Sequence, residues 1–367
     1  MKKFFLLAAM VGVALTGCMK DEVYVPKCET PISFEVANYV AQTRASGAFS
    51  TTETFGVNAW SRDAAASSSV QMMKDEVVSY ADGKWTTKPT TYYWPINGTV
   101  DFIAYYPTTV KPTIVHKYEG GDTYTYTDYT VVDGVDLMYA DKAIRFSKNN
   151  TAAENDTALG YGDPDPLVND YGFAGVPTLF RHALAKVNFK VQNGKPTDGV
   201  YSYDIKVDSI TLNVYKQGSV TLTSAGTTPA TRGTWSVENN VWTPKTGSKG
   251  DLTWTEAVTL SDGTAKDYAT RTQYVLPQTL TAGDQKITVN YTVTQYQNII
   301  IDGTETKTKI SEQTYNTTLD LYSAVLPRWQ MNKNITYTIS LSSIGTQILF
   351  APAVEEWETA SGNVTIQ

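Results

Sequence analysis

The chain has 367 residues, of which 18% are charged and 41% hydrophobic, and a formal net charge of −7. That balance belongs to a globular protein long enough to bury sizeable cores, and its acidity argues against nucleic acid or an anionic lipid surface as a partner. After the first two dozen residues no apolar run approaches the roughly 18 residues a membrane-crossing helix needs.

In chain order, Met1-Lys2-Lys3 is a basic start and Phe4 to Leu15 an apolar run of secretory h-region length. Leu15-Thr16-Gly17-Cys18 then has the form of a lipobox, a branched apolar residue and two small ones before cysteine. Residues 1–17 are therefore expected to be a lipoprotein signal peptide, with Cys18 carrying the lipid anchor. The only other cysteine, Cys28, lies ten residues on, so no disulfide framework is expected and stability must come from core burial.

Ile32-x-Phe34-x-Val36 alternates apolar with polar residues and predicts a first strand, able to pair at a sheet edge. Gln42-Thr43-Arg44-Ala45-Ser46 is polar and small, an accessible stretch for a protease. Asp63 to Ala66 and Phe180 to Ala185 offer at most a helical turn each. Tyr92-Tyr93-Trp94, Tyr105-Tyr106 and Tyr124-x-Tyr126-x-x-Tyr129 form an aromatic excess that suits cross-strand pairing in sheets. Trp94 precedes Pro95 and an Asn97-Gly98 turn signal, so it is expected to be a core residue beside a tight hairpin connection. Asn149 to Gly175 is rich in Asn, Asp, Gly and Pro and reads as a long connection, which places a domain change near Gly175. Two-residue alternation then recurs at Val187 to Val191, Ile205-x-Val207, Ile210 to Val214, Val220-x-Leu222, Ile287 to Val293 and Ile335 to Leu341. Many short strands with turn signals between them predict an all-β chain of β-sandwich domains.

Catalytic motifs are missing. His116 and His182 belong to no metal-ligand spacing, and a structural hydrogen bond at a strand start is expected for His182. Gly-x-Ser-x-Gly, Gly-x-Gly-x-x-Gly and phosphate-loop motifs do not occur. Asp163, Asp165 and Asp170 lack the glycine and closing glutamate of a calcium loop and read as a solvated acidic loop. Neither catalytic residues nor a metal or other cofactor is expected.

Several blocks in fixed order carry a resemblance. "YYWPINGTVDFIAYYP" from Tyr92, "DLMYA" from Asp136, "FRHALAKVNFKV" from Phe180, "YVLPQ" from Tyr274, "WQMNKNITYTISL" from Trp329 and the terminal "VEEWETASGNVTI" resemble the fimbrillin family of Bacteroides-type bacteria. The resemblance runs from the lipobox to the C-terminus. It implies two tandem transthyretin-like β-sandwich domains, made as an outer-membrane lipoprotein precursor and assembled into surface fimbriae after an arginine-specific protease removes the leader. Carried onto this chain, it implies a lipidated leader over 18–44 that ends at Arg44, with Ala45 the first mature residue. An N-terminal sandwich would cover 45–175 and a C-terminal one 176–367. Both cysteines would leave with the leader. Arg44 favours a shaft or tip subunit over an anchor.

Assembly is then expected by strand exchange. Ile32, Phe34 and Val36 are the candidate displaced strand, and the C-terminal segment with Trp357, Val364 and Ile366 is the candidate donor. Expected partners are other fimbrial subunits, the protease, the outer membrane before cleavage, and a host protein or glycan receptor. The competing reading is a surface lipoprotein that binds glycan through exposed aromatic residues; an enzyme such as a glycosidase comes third, because carboxylate pairs among 37 Asp and Glu are non-specific.

Overall fold

The computed structural model describes residues 27–38, 49–62, 68–95, 98–117, 121–140, 142–146, 176–223, 242–342 and 349–356. Every regular element among them is a β-strand, as the dominant two-residue period requires. The segment Phe180 to Ala185 holds no helical turn, since one strand ends at His182 and the next begins at Ala185.

The N-terminal half is built on a sheet ordered β10 (Met138–Ala140), β12 (Val176–His182), β2 (Phe34–Asn38), β5 (Lys84–Thr87), β4 (Val70–Ala81), β3 (Thr54–Arg62), β7 (Thr99–Tyr106) and β11 (Ala143–Phe146). Strand β10 also pairs with β7, which closes the order into a ring around an aromatic core. Closure leaves few free edges. Strand β1 (Lys27–Pro31) lies outside the ring, paired with β6 (Tyr93–Pro95). Trp94 is buried in the core as expected, but the hairpin is not there: β6 pairs with β1 rather than with β7.

The C-terminal half is a sandwich. One sheet runs β20 (Lys266–Val275), β13 (Ala185–Asn193), β23 (Lys333–Leu341), β24 (Leu349–Glu356). The facing sheet runs β14 (Thr197–Asp198), β15 (Tyr201–Tyr215), β21 (Lys286–Ile301), β22 (Thr304–Asp320), with β18 (Lys249–Trp254) and β19 (Val258–Leu260) also on β15. Val187, Phe189 and Val191 on β13 and Ile335, Tyr337 and Ile339 on β23 point inward against Ile210, Leu212 and Val214 on β15 and Ile287, Val289 and Tyr291 on β21. The runs Ile205-x-Val207 and Ile210-x-Leu212 are one strand with a register shift between Val207 and Ser209. The extra residue moves the apolar phase from odd to even positions while both stretches keep facing the core.

A third core joins the halves. The sheet β8 (Thr113–Val115), β9 (Thr123–Thr130), β16 (Gln217–Thr223), β17 (Thr243–Pro244) takes strands from both. Behind it Tyr124, Tyr126 and Tyr129 pack with Val220, Leu222 and Trp242. Strand β7 lies between two cores: Val100, Phe102 and Ala104 face the first, Ile103 and Tyr105 the third. A strand covered on both faces reads as a near-continuous apolar run, and "TVDFIAYY" is one apart from Asp101.

Strand β12 follows the expected domain change near Gly175 in sequence and yet belongs to the first half. Strand β12 begins at Val176 and completes the first sheet, and Val176 and Phe180 lie in its core. The chain crosses between halves only at Ala183-Leu184, which are buried in the shared core.

Candidate polymerisation site

The strand expected to be displaced, β2, sits inside the N-terminal sheet. Strand β2 runs parallel to β12, in register from Phe34↔Val176 to Asn38↔Phe180, and meets β5 on its other side only at Phe34↔Trp85. This corrects the expectation of an edge strand. Parallel pairing with β12 needs no hairpin, so a segment from the start of the chain can occupy an interior slot. The asymmetry makes β12 its main backbone partner.

Its side chains fill the core. Ile32 and Phe34 are buried and Val36 is half-buried against the same cluster. The Phe34 ring meets Phe55 and Phe102 edge-on, both at 5.8 Å. Ile32 N–H donates to Tyr92 O (2.8 Å), and Val176 N–H donates to Ser33 O (2.7 Å). Beside the strand lies a cleft of about 770 Å³ lined by Pro31, Ile32, Thr86, Thr87, Lys88 and Pro89. Burying Ile32 and Phe34 contributes about 1.5–3 kcal/mol apiece. If β2 left, β12 and β5 would flank an apolar slot with unpaired backbone groups on both walls.

At the other end of the chain, β24 pairs with β23 alone among the described residues, from Lys333↔Glu356 to Ser340↔Leu349. It is an edge strand by construction. Cys18, Arg44, Ala45, Trp357, Val364 and Ile366 lie outside the described residues, as do Asp163, Asp165 and Asp170.

Sequence reading missed a buried ionic cluster behind β7. Lys142 Nζ lies 2.9 Å from Asp122 Oδ2 and 3.0 Å from Asp101 Oδ2, and donates to Lys117 O at 3.2 Å. His116 Nδ1 lies 2.7 Å from Asp122 Oδ1, and its Nε2 3.5 Å from Asp101 Oδ2. All four side chains are nearly solvent-free. Burial pushes the Asp101 carboxyl above its ordinary value despite the charges of Lys142 and His116. Burial pushes the same way at Asp122, but the hydrogen bond with His116, the charge and hydrogen bond of Lys142 and the Lys117 N–H together hold that carboxyl at about 2. The available signal was Asp101 itself, a carboxylate inside an otherwise apolar strand, which must find a buried cation.

His182 closes β12 rather than starting a strand. Its Nδ1 sits 2.5 Å from Asp136 Oδ2, which ties β12 to the loop before β10. Most of the aromatic block is core: Trp94, Tyr105, Tyr124, Tyr126 and Tyr129 are buried, and only Tyr93 of that set is 38% exposed. Among the described residues no group of three or more His, Cys, Asp or Glu could hold a metal ion.

Comparison with known proteins finds solved chains of low sequence identity. A fimbrial protein from Bacteroides vulgatus is 18% identical, with 83% of this chain and 93% of that one aligned at a TM-score of 0.49. A Bacteroides uniformis chain described as a candidate cell adhesion protein is 18% identical over 89% and 98% of the two chains, TM-score 0.45. The fimbrial anchor protein Mfa2 from Porphyromonas gingivalis aligns over 89% and 97% at 11% identity, TM-score 0.28. No curated protein matches. The fimbrillin-like family model matches residues 43–357, most of the chain, so the protein belongs to that family of structural, non-enzymatic pilins.

Proposed function

We propose that this chain is a shaft or tip subunit of a surface fimbria, exported as a lipoprotein precursor and polymerised by protease-triggered strand exchange. Cys18 carries the lipid, and cleavage between Arg44 and Ala45 frees the leader. The observation that carries the reading is the place of β2: a segment ahead of the cleavage point fills an interior slot of the sheet with Ile32 and Phe34 in the core. While the leader is covalently attached, Phe49, buried just after it and stacked on Phe180 at 5.0 Å, keeps β2 at high local concentration beside its slot. Cleavage makes departure irreversible.

The donor is the C-terminal segment of the next subunit, with Val364 and Ile366 alternating toward the core and Trp357 as a large anchor. A slot walled by β12 and β5 accepts a strand on both sides, which contributes more backbone pairing than addition at a single edge. Partners are thus further subunits, the arginine-specific protease and, before cleavage, the outer membrane.

The test is electron microscopy of the precursor and of its Arg44→Ala variant after treatment with an arginine-specific protease. The wild type should form head-to-tail fibres and the variant should stay monomeric. Equal polymerisation of the two would overturn cleavage-triggered exchange at this site. Deleting the tail after Val354 should stop elongation in cleaved protein, and Cys18→Ala should abolish incorporation of labelled palmitate.

A further inference from the structure

A cleft of about 660 Å³ opens on the N-terminal half, away from the β2 slot, lined by Asn58 and Trp60 on β3, Gln71, Lys74 and Asp75 on β4 and Ser69 just before β4, with His116 at its back. Its size falls in the usual range of small-ligand sites. Trp60 is partly exposed, and one indole face is covered by the His116 ring, stacked at 4.4 Å and 19°. That ring is itself held by Asp122 at 2.7 Å. The exposed part of the indole is therefore its other face and edge, fixed from behind.

The polar wall is equally fixed. Asn58 is 3% exposed; its Oδ1 accepts from Gln71 Nε2 (3.0 Å) and from Asp75 N–H (3.1 Å), and its Nδ2 donates to Asp75 Oδ1 (3.1 Å). Tyr105 O–H donates to the same Asp75 Oδ1 at 3.0 Å. That reach requires glycine opposite it, because a Cβ on Gly56 would fall 2.3 Å from Tyr105 Cζ. Asp75 has φ 51°, and the β3–β4 register shifts twice around Ala59, on both sides of it. Bulges and a left-handed non-glycine residue re-aim side chains at a backbone cost, and such strain collects at binding sites. The network commits Asn58 and leaves Gln71 Oε1 and the Ser69 hydroxyl facing the cleft without a hydrogen bond among the described residues.

We propose that this cleft is a saccharide subsite that binds a neutral hexose disaccharide. A sugar ring presents C–H groups on its faces and hydroxyls around its rim. A fixed indole face beside preorganised amide, hydroxyl and carboxylate groups answers both. The lining is too polar for a hydrocarbon ligand, and the two lysines near it, Lys74 and Lys111, are offset by Asp75, 3.7 Å from Lys111 Nζ, which leaves too little positive charge for a phosphate. The residues are not those of the sequence's aromatic block, which the cores consume. The proposal deepens the adhesive side of the fimbrial reading, and assembly and binding are measured separately.

The experiment is saturation-transfer NMR on the full chain with lactose, maltose, cellobiose and diacetylchitobiose, each titrated to about 10 mM. At least one should bind saturably. Gln71→Ala, which removes a partly exposed side chain, should weaken that binding roughly tenfold or more, and Trp60→Ala by at least as much. Saturable binding by none of the four, or wild-type binding in folded Gln71→Ala, overturns the proposal. Fibre formation by Gln71→Ala should match wild type; loss of fibres in wild type with sugar binding intact would sink the assembly reading alone.

Discussion

The two halves of the molecule solve the same packing problem with opposite attachments. Each contains one parallel pair, β2 with β12 and β13 with β23. In the C-terminal half that pair runs from Lys186↔Asn334 to Asn193↔Leu341, and both strands alternate buried and half-exposed residues throughout. In the N-terminal half the parallel partner is a five-residue strand from near the start of the chain, joined to β5 at a single position. One core is thus closed by long strands from its own half, the other by a short strand from near the start of the chain, the one that the proposed cleavage would release. The difference teaches that the two cores are closed by strands of very different pairing strength, and the weaker closure is where local opening is expected first.

The N-terminal half adds interactions of its own. Its aromatic core packs Phe49, Phe55 and Phe180 ring against ring, and the ionic cluster of Asp101, His116, Asp122 and Lys142 ties β7 to the chain entering β9 and β11. The largest expected effect therefore comes from Lys142→Ala, which leaves Asp101 and Asp122 buried without their main cation and should cost about 3–5 kcal/mol. Hydrogen exchange read by mass spectrometry on the full chain should show faster exchange in β7, β9 and β11 with β13 and β23 unchanged. Equal loss of protection in both halves would mean that they unfold as one unit through their shared core.

The tryptophans sharpen the contrast. Trp94 and Trp329 are both 2% exposed, so either one changed to alanine should cost about 3–5 kcal/mol. They differ in their polar atoms. Trp329 Nε1 donates to Tyr337 O–H at 2.7 Å, whereas Trp94 Nε1 has no hydrogen-bond partner among the described residues. Replacement by phenylalanine should then cost about 1 kcal/mol more at Trp329 than at Trp94, measured by urea denaturation. A larger loss at Trp94 would imply that its N–H is satisfied in solution.

How much of this was legible in the sequence follows from the period. Where one face of a strand is buried, as on β13, β21 and β23, alternation marks the strand and its inward residues together. On β7 the period disappears because both faces are covered, and the reason is a third core that no local pattern announces. Where the halves meet is hidden for the same kind of reason: β12 follows the long polar connection in sequence yet pairs with β2 from the far end of the chain. Parallel partners leave no hairpin signal. Arg44 and the terminal donor residues are legible only as motifs, since what they do depends on a second chain.

Acid should also separate the halves. The Asp122 carboxyl is lowered from 3.8 to about 2 in the folded chain, so it contributes stability that is fully present above pH 3.8 and is lost as pH falls through about 2. Asp101 has the opposite sign: its raised folded value favours the folded state at low pH, and that contribution fades as pH rises through it. Asp122→Asn should therefore flatten the acid limb of N-terminal protection between pH 4 and 2 and leave β13 and β23 exchange as in wild type. An unchanged acid limb in the variant would place the sensitive group elsewhere.

The smallest effect tests the solvent face of the C-terminal half. Strands β21 and β22 form a long hairpin whose turn, Asp302-Gly303, has φ of 52° and 78°, the left-handed pair that fits the twist of a two-residue connection. Along its outer face Thr288 and Thr318 hydroxyls lie 2.9 Å apart, and those of Thr292 and Thr314 3.1 Å. Cross-strand pairs of this kind contribute about 0.2–1 kcal/mol each. Because β22 is exposed along most of its length and has no strand beyond it among the described residues, little else holds it. Thr318→Ala should thus lower stability by a few tenths of a kcal/mol, about 0.5 at most, while speeding exchange across β22 well before β15 or β23 responds. Uniform acceleration through the whole sandwich would show that the hairpin opens only with the core, and the boundary between what opens locally and what opens with the whole half would have to be drawn inside β21 instead.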